Sequence, residues 1–187
     1  MDEKLKTFIE TTNPFLYILT PCYGNMCHVN YTSSLLSTTN LLNQYNIRYE
    51  ITFCRNDSLI SRARNNLVAK AMNNPQMTHI LFIDSDITWK PVDVIRLLLG
   101  DKLVIGGIYP LKKIQWDRFK TSEVWEQCQA KKAKYPFLQS VSDETLMSFL
   151  TCKYNFNAIS EKVEVKNNLI PLRHLATGFM MIKRKTI

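Results

Sequence analysis

A chain of 187 residues, 45% hydrophobic and 21% charged, has enough apolar material for one domain with a sizeable core and lacks the composition of a disordered or fibrous protein. No apolar run approaches the roughly 18–20 residues of a membrane span, and the polar start MDEKLKTFIETTNPF lacks the regions of a secretory signal. The formal charge of +8 leaves a nucleic-acid surface, a membrane surface or an anionic small substrate open, although the basic residues are dispersed, with small groups near Lys112, at 131–134 and at 183–185.

The first predicted element is a buried strand, Phe15 to Leu19, stopped by a Thr-Pro turn. A helix comes next over 30–45, on leucine pairs at 35/36 and 41/42. RYEITFC alternates Tyr49, Ile51 and Phe53 on one face and predicts a second strand. NDSLISRARNNLVAKAMNN predicts a helix: Asp57 or Ser58 can cap it, and Leu59, Ile60, Ala63, Leu67 and Ala71 form one stripe. HILFID is apolar to its last residue, as a central parallel strand covered on both faces should be. Pro91 opens a helix that runs from Val92 to Leu99 and ends at Gly100, and KLVIGGIYP is a fourth strand. This alternation over 14–110 predicts a parallel, three-layer α/β sheet. Residues 111–140 should be loops with one short helix, and 142–150 a helix. YNFNAI, KVEVK and LATGFMMIKR read as later strands, with Asn167-Asn168 as a turn. The whole reads as a single domain over 1–187, either complete or the N-terminal part of a longer protein.

Two features carry chemistry. Asp84 and Asp86, in HILFIDSDITWK, end a buried strand one residue apart. In an extended segment they would point the same way, about 6–7 Å apart at Cα, and repel unless a cation sits between them. Hard oxygen ligands suit Mn2+ or Mg2+, which share their shell with substrate phosphates. The plainer alternative is that both acids only shape the turn before Trp89 and Pro91. Arg62 and Arg64 lie in the helix that starts after Asp57. Arg64 lies at the edge of the apolar stripe, where a guanidinium needs an acid, Asp84 or Asp86, or a bound diphosphate. Arg62 points away from the stripe. Five cysteines at irregular spacings, Cys22, Cys27, Cys54, Cys128 and Cys152, read as free thiols of a reducing compartment. Cys22, Cys27 and His28 lack a nearby fourth ligand for a metal.

TPCYG after the first strand, NDSLISRARN opening a helix, HILFIDSDI ending a strand and ATGFMMIKR near the end occur in that order. Over most of the chain the set resembles the nucleotide-sugar-dependent glycosyltransferases of the GT-A fold, and is similar to versions carried by large DNA viruses. The resemblance implies a three-layer Rossmann-like fold with a central, mostly parallel sheet. Thr20, Pro21 and Tyr23 would line the nucleoside pocket, and Asp57, Arg62, Arg64 and Asn65 would border base, ribose and diphosphate. Asp84 and Asp86 would be the catalytic pair on Mn2+ or Mg2+, Asp86 the more direct ligand, with Ser85 or Asp84 nearer the ribose. Gly106 and Gly107 would let backbone approach the donor sugar, and Thr177, Gly178 and Phe179 would sit on the acceptor side. The implied donor is a nucleotide sugar, a UDP-sugar foremost, and the acceptor a hydroxyl of a glycan or glycoprotein. No nucleic-acid partner and no membrane span are expected, and the location would be cytoplasmic, in the host cell if the protein is viral. One departure stands out. The family supplies a further acid or histidine ligand after the TGFMMIKR strand, whereas this sequence stops at Ile187, so His174 is the substitute metal ligand. Glu123, Glu126, Asp143 and Glu144 are the loose candidates for a general base.

Two rivals belong to other classes. FIDSDIT also fits the nucleophile loop of haloacid-dehalogenase-like phosphatases, with Asp84 attacking phosphate and Asp86 as acid/base; that fold places the loop on its first strand. A basic nucleic-acid-binding module is the third reading, whose mark would be steep salt dependence.

Overall fold

A computed structural model describes residues 2–119, 122–155, 157–159 and 163–187. In chain order the elements are α1 (Asp2–Thr12), β1 (Phe15–Cys22), α2 (Val29–Gln44), β2 (Arg48–Arg55), α3 (Ile60–Met72), β3 (His79–Ile83), α4 (Pro91–Gly100), β4 (Val104–Gly106), β5 (Pro110–Ile114), α5 (Trp116–Phe119), α6 (Ser122–Lys134), α7 (Asp143–Thr151), β6 (Cys152–Tyr154), β7 (Asn157–Ala158), β8 (Leu172–His174) and β9 (Phe179–Lys183). They group into two compact units, residues 1–107 with 157–187, and residues 108–156.

The first unit is a mixed α/β structure around a five-stranded sheet of order β2-β1-β3-β9-β4. The β1–β2 and β1–β3 pairings are parallel, and β9 runs against both β3 and β4, so four of the five strands share one direction. β1 does not stop at a Thr-Pro turn: it continues through Pro21 to Cys22. The register shows why a proline is tolerated. Phe15 exchanges hydrogen bonds with Thr78 on the β3 side, so the odd-numbered residues of β1 direct their backbone groups toward β3. Pairing with β3 ends at Leu19↔Phe82, and the N–H that Pro21 lacks would have pointed past the end of that ladder.

Alternation in the strands sorts side chains to two faces. On one, Tyr17, Leu19, Ile80, Phe82 and Met180 pack with Leu67 and Ala71 of α3. On the other, Tyr31 of α2 bonds Thr20, and its ring meets Trp89 edge-on at 5.2 Å between centroids. The Trp89 Nε1–H donates to Thr38 Oγ1 at 2.8 Å, and its backbone N–H to Ser34 Oγ at 3.2 Å. α4 packs on α2, and α1 on α4.

α1 is a helix the sequence pattern did not announce; among its described side chains Leu5 alone is fully buried, too little for a periodic signal. Asp57 and Ser58 do not cap α3, whose N-cap is Leu59 with no side-chain cap bond. The fourth strand is three residues long; just past it the Gly107 N–H still donates to Phe179 O at 3.0 Å, and both Gly106 and Gly107 pack closely on Phe179. A Cβ on Gly106 would come within 2.6 Å of the Phe179 carbonyl oxygen, and one on Gly107 within 2.6 Å of Phe179 Cδ1. The basic group at 183–185 is partly structural. Lys183 pairs with Asp101, and Arg184 donates to the carbonyls of Asn74 and Met72 at 2.8 and 3.1 Å, capping the C-terminal end of α3 with a cation. Of the expected later strands, LATGFMMIKR supplies β9, and the KVEVK segment forms no strand among its described residues, with Lys166 bridging Leu169 across the Asn167-Asn168 turn.

The second unit holds the antiparallel pair β5–β6 with α5, α6 and α7. α6 spans 13 residues where loops and one short helix were expected; only Val124 and Cys128 of it are buried, so its apolar stripe is two residues wide. Ser142 caps α7 by accepting from the Thr145 N–H, and Lys132 pairs with Asp143 at 2.7 Å.

Candidate functional site

Because β1, β2, β3 and β4 share one direction, their carboxyl ends make one edge of the sheet, the place where open α/β sheets gather ligands. Along it lie Tyr23 after β1, Asp57 after β2, Asp84 to Asp86 after β3, and Gly107 after β4. β9 enters at the same edge just after Gly178. Motifs scattered over some 160 residues of sequence thus converge.

Strand pairing ends at Ile83↔Phe179, and the residues after Ile83 form a turn rather than an extended segment. The Ile87 N–H donates to the Asp84 carbonyl at 3.0 Å, so the same-side geometry expected for residues i and i+2 of a strand does not describe these acids. The turn is pinned on two sides: the Asp84 N–H donates to Gly178 O at 2.9 Å, and Ser85 O accepts from the His28 N–H at 3.0 Å. Ser85 and Asp86 are half-buried.

Arg64 reaches this turn from the second turn of α3. Its Nη2 donates to Asp84 Oδ1 at 2.8 Å, its guanidinium carbon lies 5.9 Å from the centre of the Phe82 ring, and its Nε is buried with no hydrogen-bond partner among the described residues. Between the acid and the diphosphate that the sequence left open, the acid is Asp84. Arg62 turns instead to Asp57, donating through Nε and Nη2 at 2.8–3.1 Å. Those bonds, led by the one from Arg62, hold the Asp57 carboxyl below the usual carboxylate range, and Asp57 Oδ1 also accepts from the Leu59 N–H at 3.0 Å.

The other expected site positions are scattered between core and surface. Thr20 is fully buried, its hydroxyl 2.5 Å from Tyr31 Oη, so that side chain faces the core; burial raises the Tyr31 phenol well above its usual range. Pro21 is buried, Asn65 is exposed and Tyr23 is 72% exposed. Gly107 is accounted for by its close packing on Phe179. His174 sits on β8, in a two-stranded pair with β7, its Nδ1 3.2 Å from the Asn157 amide nitrogen. Among the described residues no three His, Cys, Asp or Glu side chains gather as a metal set, so His174 does not join Asp84 and Asp86 in one. Glu123, Glu126, Asp143 and Glu144 belong to the other unit.

An open cleft of about 520 Å³ borders this edge at β2, lined by Asn25, Phe53, Cys54, Arg55, Asn56 and Lys70. The acids are not among its lining residues. Sequence reasoning passed over Arg55 and Lys70 because lone bases flanking a strand and a helix carry no spacing signal.

No protein-family model matches the chain, and no curated protein matches it. Among solved structures it is similar to A197 from STIV, at 15% sequence identity and a TM-score of 0.47, over 92% of this chain. The chain spans 65% of the length of that protein. No helix among the described residues is long and apolar enough to cross a membrane.

Proposed function

We propose that the chain is a metal-dependent glycosyltransferase of the GT-A fold. In this reading it moves a sugar from a nucleotide-diphosphate donor, a UDP-sugar foremost, to a hydroxyl of a glycan or glycoprotein. The observation that carries the reading is the Asp84–Asp86 turn at the carboxyl edge of the sheet, with Arg64 2.8 Å from Asp84.

The donor chemistry fits the implied ion. Two carboxylates in a pinned turn offer hard oxygens, and Mn2+ or Mg2+ held by one or two protein carboxylates completes its shell with water and substrate phosphates. A third protein ligand is therefore not required, and His174 has no part in the reading. Following the resemblance, Asp86 would be the more direct ligand, and Asp84, whose Oδ1 accepts from Arg64, would serve beside it. Bound there, the ion would neutralise the charge that develops on the leaving diphosphate. Arg64 holds the Asp84 carboxylate in one orientation, and its own charge adds to the positive field at this edge. Tyr23 would offer the nucleoside an exposed ring. The motif's position on the third strand in chain order speaks against the phosphatase reading, which needs it on the first.

The test is Asp86→Ala. Metal-dependent hydrolysis of the donor and sugar transfer should both vanish while circular dichroism and melting temperature stay at parental values. Activity unchanged in that variant would defeat the mechanism.

A further inference from the structure

Cys22 and Cys27 bring their sulfurs to 3.2 Å, a contact that plays no part in the proposed transfer chemistry. The backbone imposes the approach from both sides. Cys22 ends β1, paired with Arg55 across the ladder, and its carbonyl accepts from the Asn56 N–H at 3.3 Å. The chain then reverses through Tyr23–Asn25, where Gly24 and Asn25 both take left-handed angles, φ 71° and 59°. It returns at Cys27, and the next residue, His28, is fixed by its N–H bond to Ser85. A disulfide needs sulfurs about 2.05 Å apart, so from 3.2 Å the two have about 1.2 Å left to close.

The two thiols are unequal. Cys22 is 3% exposed, whereas Cys27 is half-buried. Burial, reinforced by the neighbouring Cys27, pushes the Cys22 thiol up to about 12. Cys27 is thus the sulfur a solution reagent meets first, and Cys22 the one held behind it.

We propose that Cys22 and Cys27 form a redox modification site, a dithiol that a small-molecule disulfide oxidises to an intramolecular disulfide. Cys27 loses its proton to solvent and attacks one sulfur of the reagent RSSR; the S–S bond breaks and one RSH leaves. Cys22 then releases its proton and attacks Cys27 Sγ, the bond to the retained RS group breaks, and a second RSH leaves. The pair is oxidised by two electrons and one RSSR is reduced to two RSH. The bridge closes the loop that carries Tyr23, next to the Asp84–Asp86 turn.

The experiment treats the folded full chain with oxidised glutathione, quenches with an alkylating reagent, and reads intact mass and a non-reduced peptide map. In the parent, the peptide map should show positions 22 and 27 linked to each other, two hydrogens lighter than the unlinked pair and with no glutathione on either, whatever the half-buried Cys54 and Cys152 carry. Cys22→Ala should retain glutathione on Cys27; Cys27→Ala should leave Cys22 unmodified. The parent arm decides even if Cys22→Ala folds poorly. A parent that keeps glutathione on Cys27, a link from Cys27 to Cys54, or modification of Cys22 in Cys27→Ala would overturn the proposal. None of these readouts depends on sugar transfer.

Discussion

His79 predicts an acid-sensitive sheet. It opens β3 opposite Lys183, is 5% exposed, and has Nδ1 2.7 Å from Thr78 Oγ1. Burial first, and the charge of Lys183 second, depress its pKa from 6.5 to about 4, with Asp101 opposing weakly. The folded protein therefore keeps His79 neutral where the unfolded chain would protonate it. Above pH 6.5 neither state is protonated and no penalty arises. As pH falls from 6.5 towards 4 the unfolded state binds the extra proton, and stability drops by about 1.4 kcal/mol per unit, reaching about 3 kcal/mol. The assay is urea unfolding of parent and His79→Gln at pH 7.5, 6, 5 and 4.5, conditions chosen to bracket the window (about three units) over which linkage acts. Carboxylates titrating in the same range affect both proteins alike, and any fixed cost of the substitution appears as an offset at pH 7.5. The difference between the two should shift in favour of His79→Gln as pH falls. Curves that stay parallel down to pH 4.5 would refute the reasoning, because His79 would then titrate alike in both states.

Other consequences are separable from it. Arg184→Ala removes two charge-assisted bonds to the carbonyl end of α3 and should cost about 2 kcal/mol in urea unfolding; Arg184→Lys, which cannot span both carbonyls as a fork, should recover less than half. Gly107→Ala places a Cβ within 2.6 Å of Phe179 Cδ1 and should cost about 1–3 kcal/mol; adding Phe179→Leu should recover part of it, which a role of Gly107 confined to donor binding would not produce. Trp89→Phe loses the bond to Thr38 and leaves a buried hydroxyl with one partner fewer, at about 1 kcal/mol, measured as a lowered melting temperature.

The alternating strands and helices between residues 14 and 110 were legible because β3 is apolar throughout and Leu67 and Ala71 repeat at helical spacing on α3. Where local patterns were weak the reading failed. α1 buries little beyond Leu5, α6 buries only Val124 and Cys128, and neither writes a stripe into the sequence. The insertion of β9 between β3 and β4 against their direction is a long-range pairing that no local window contains. At the candidate site, the placement of Asp84 and Asp86 at a strand end was readable, and Asp84 was one of the partners weighed for Arg64. The turn geometry of the acids was not readable, because it depends on Gly178 and His28, distant residues that pin it. Thr20 and Gly107 show the converse: each is occupied by a core neighbour, Tyr31 on the next helix or Phe179 on β9, that the local pattern does not reveal.

The proposed transfer requires an ion and a nucleotide to bind together at the Asp84–Asp86 turn. The most direct measurement is a thermal-shift panel of nucleotide sugars, with and without Mn2+, on the parent and Asp86→Ala. One UDP-sugar should stabilise the parent only when Mn2+ is present, by about 2.7 kcal/mol at a hundredfold excess over its Kd, and should leave Asp86→Ala unmoved. Stabilisation that ignores the metal, persists in Asp86→Ala, or fails for every nucleotide sugar would contradict it.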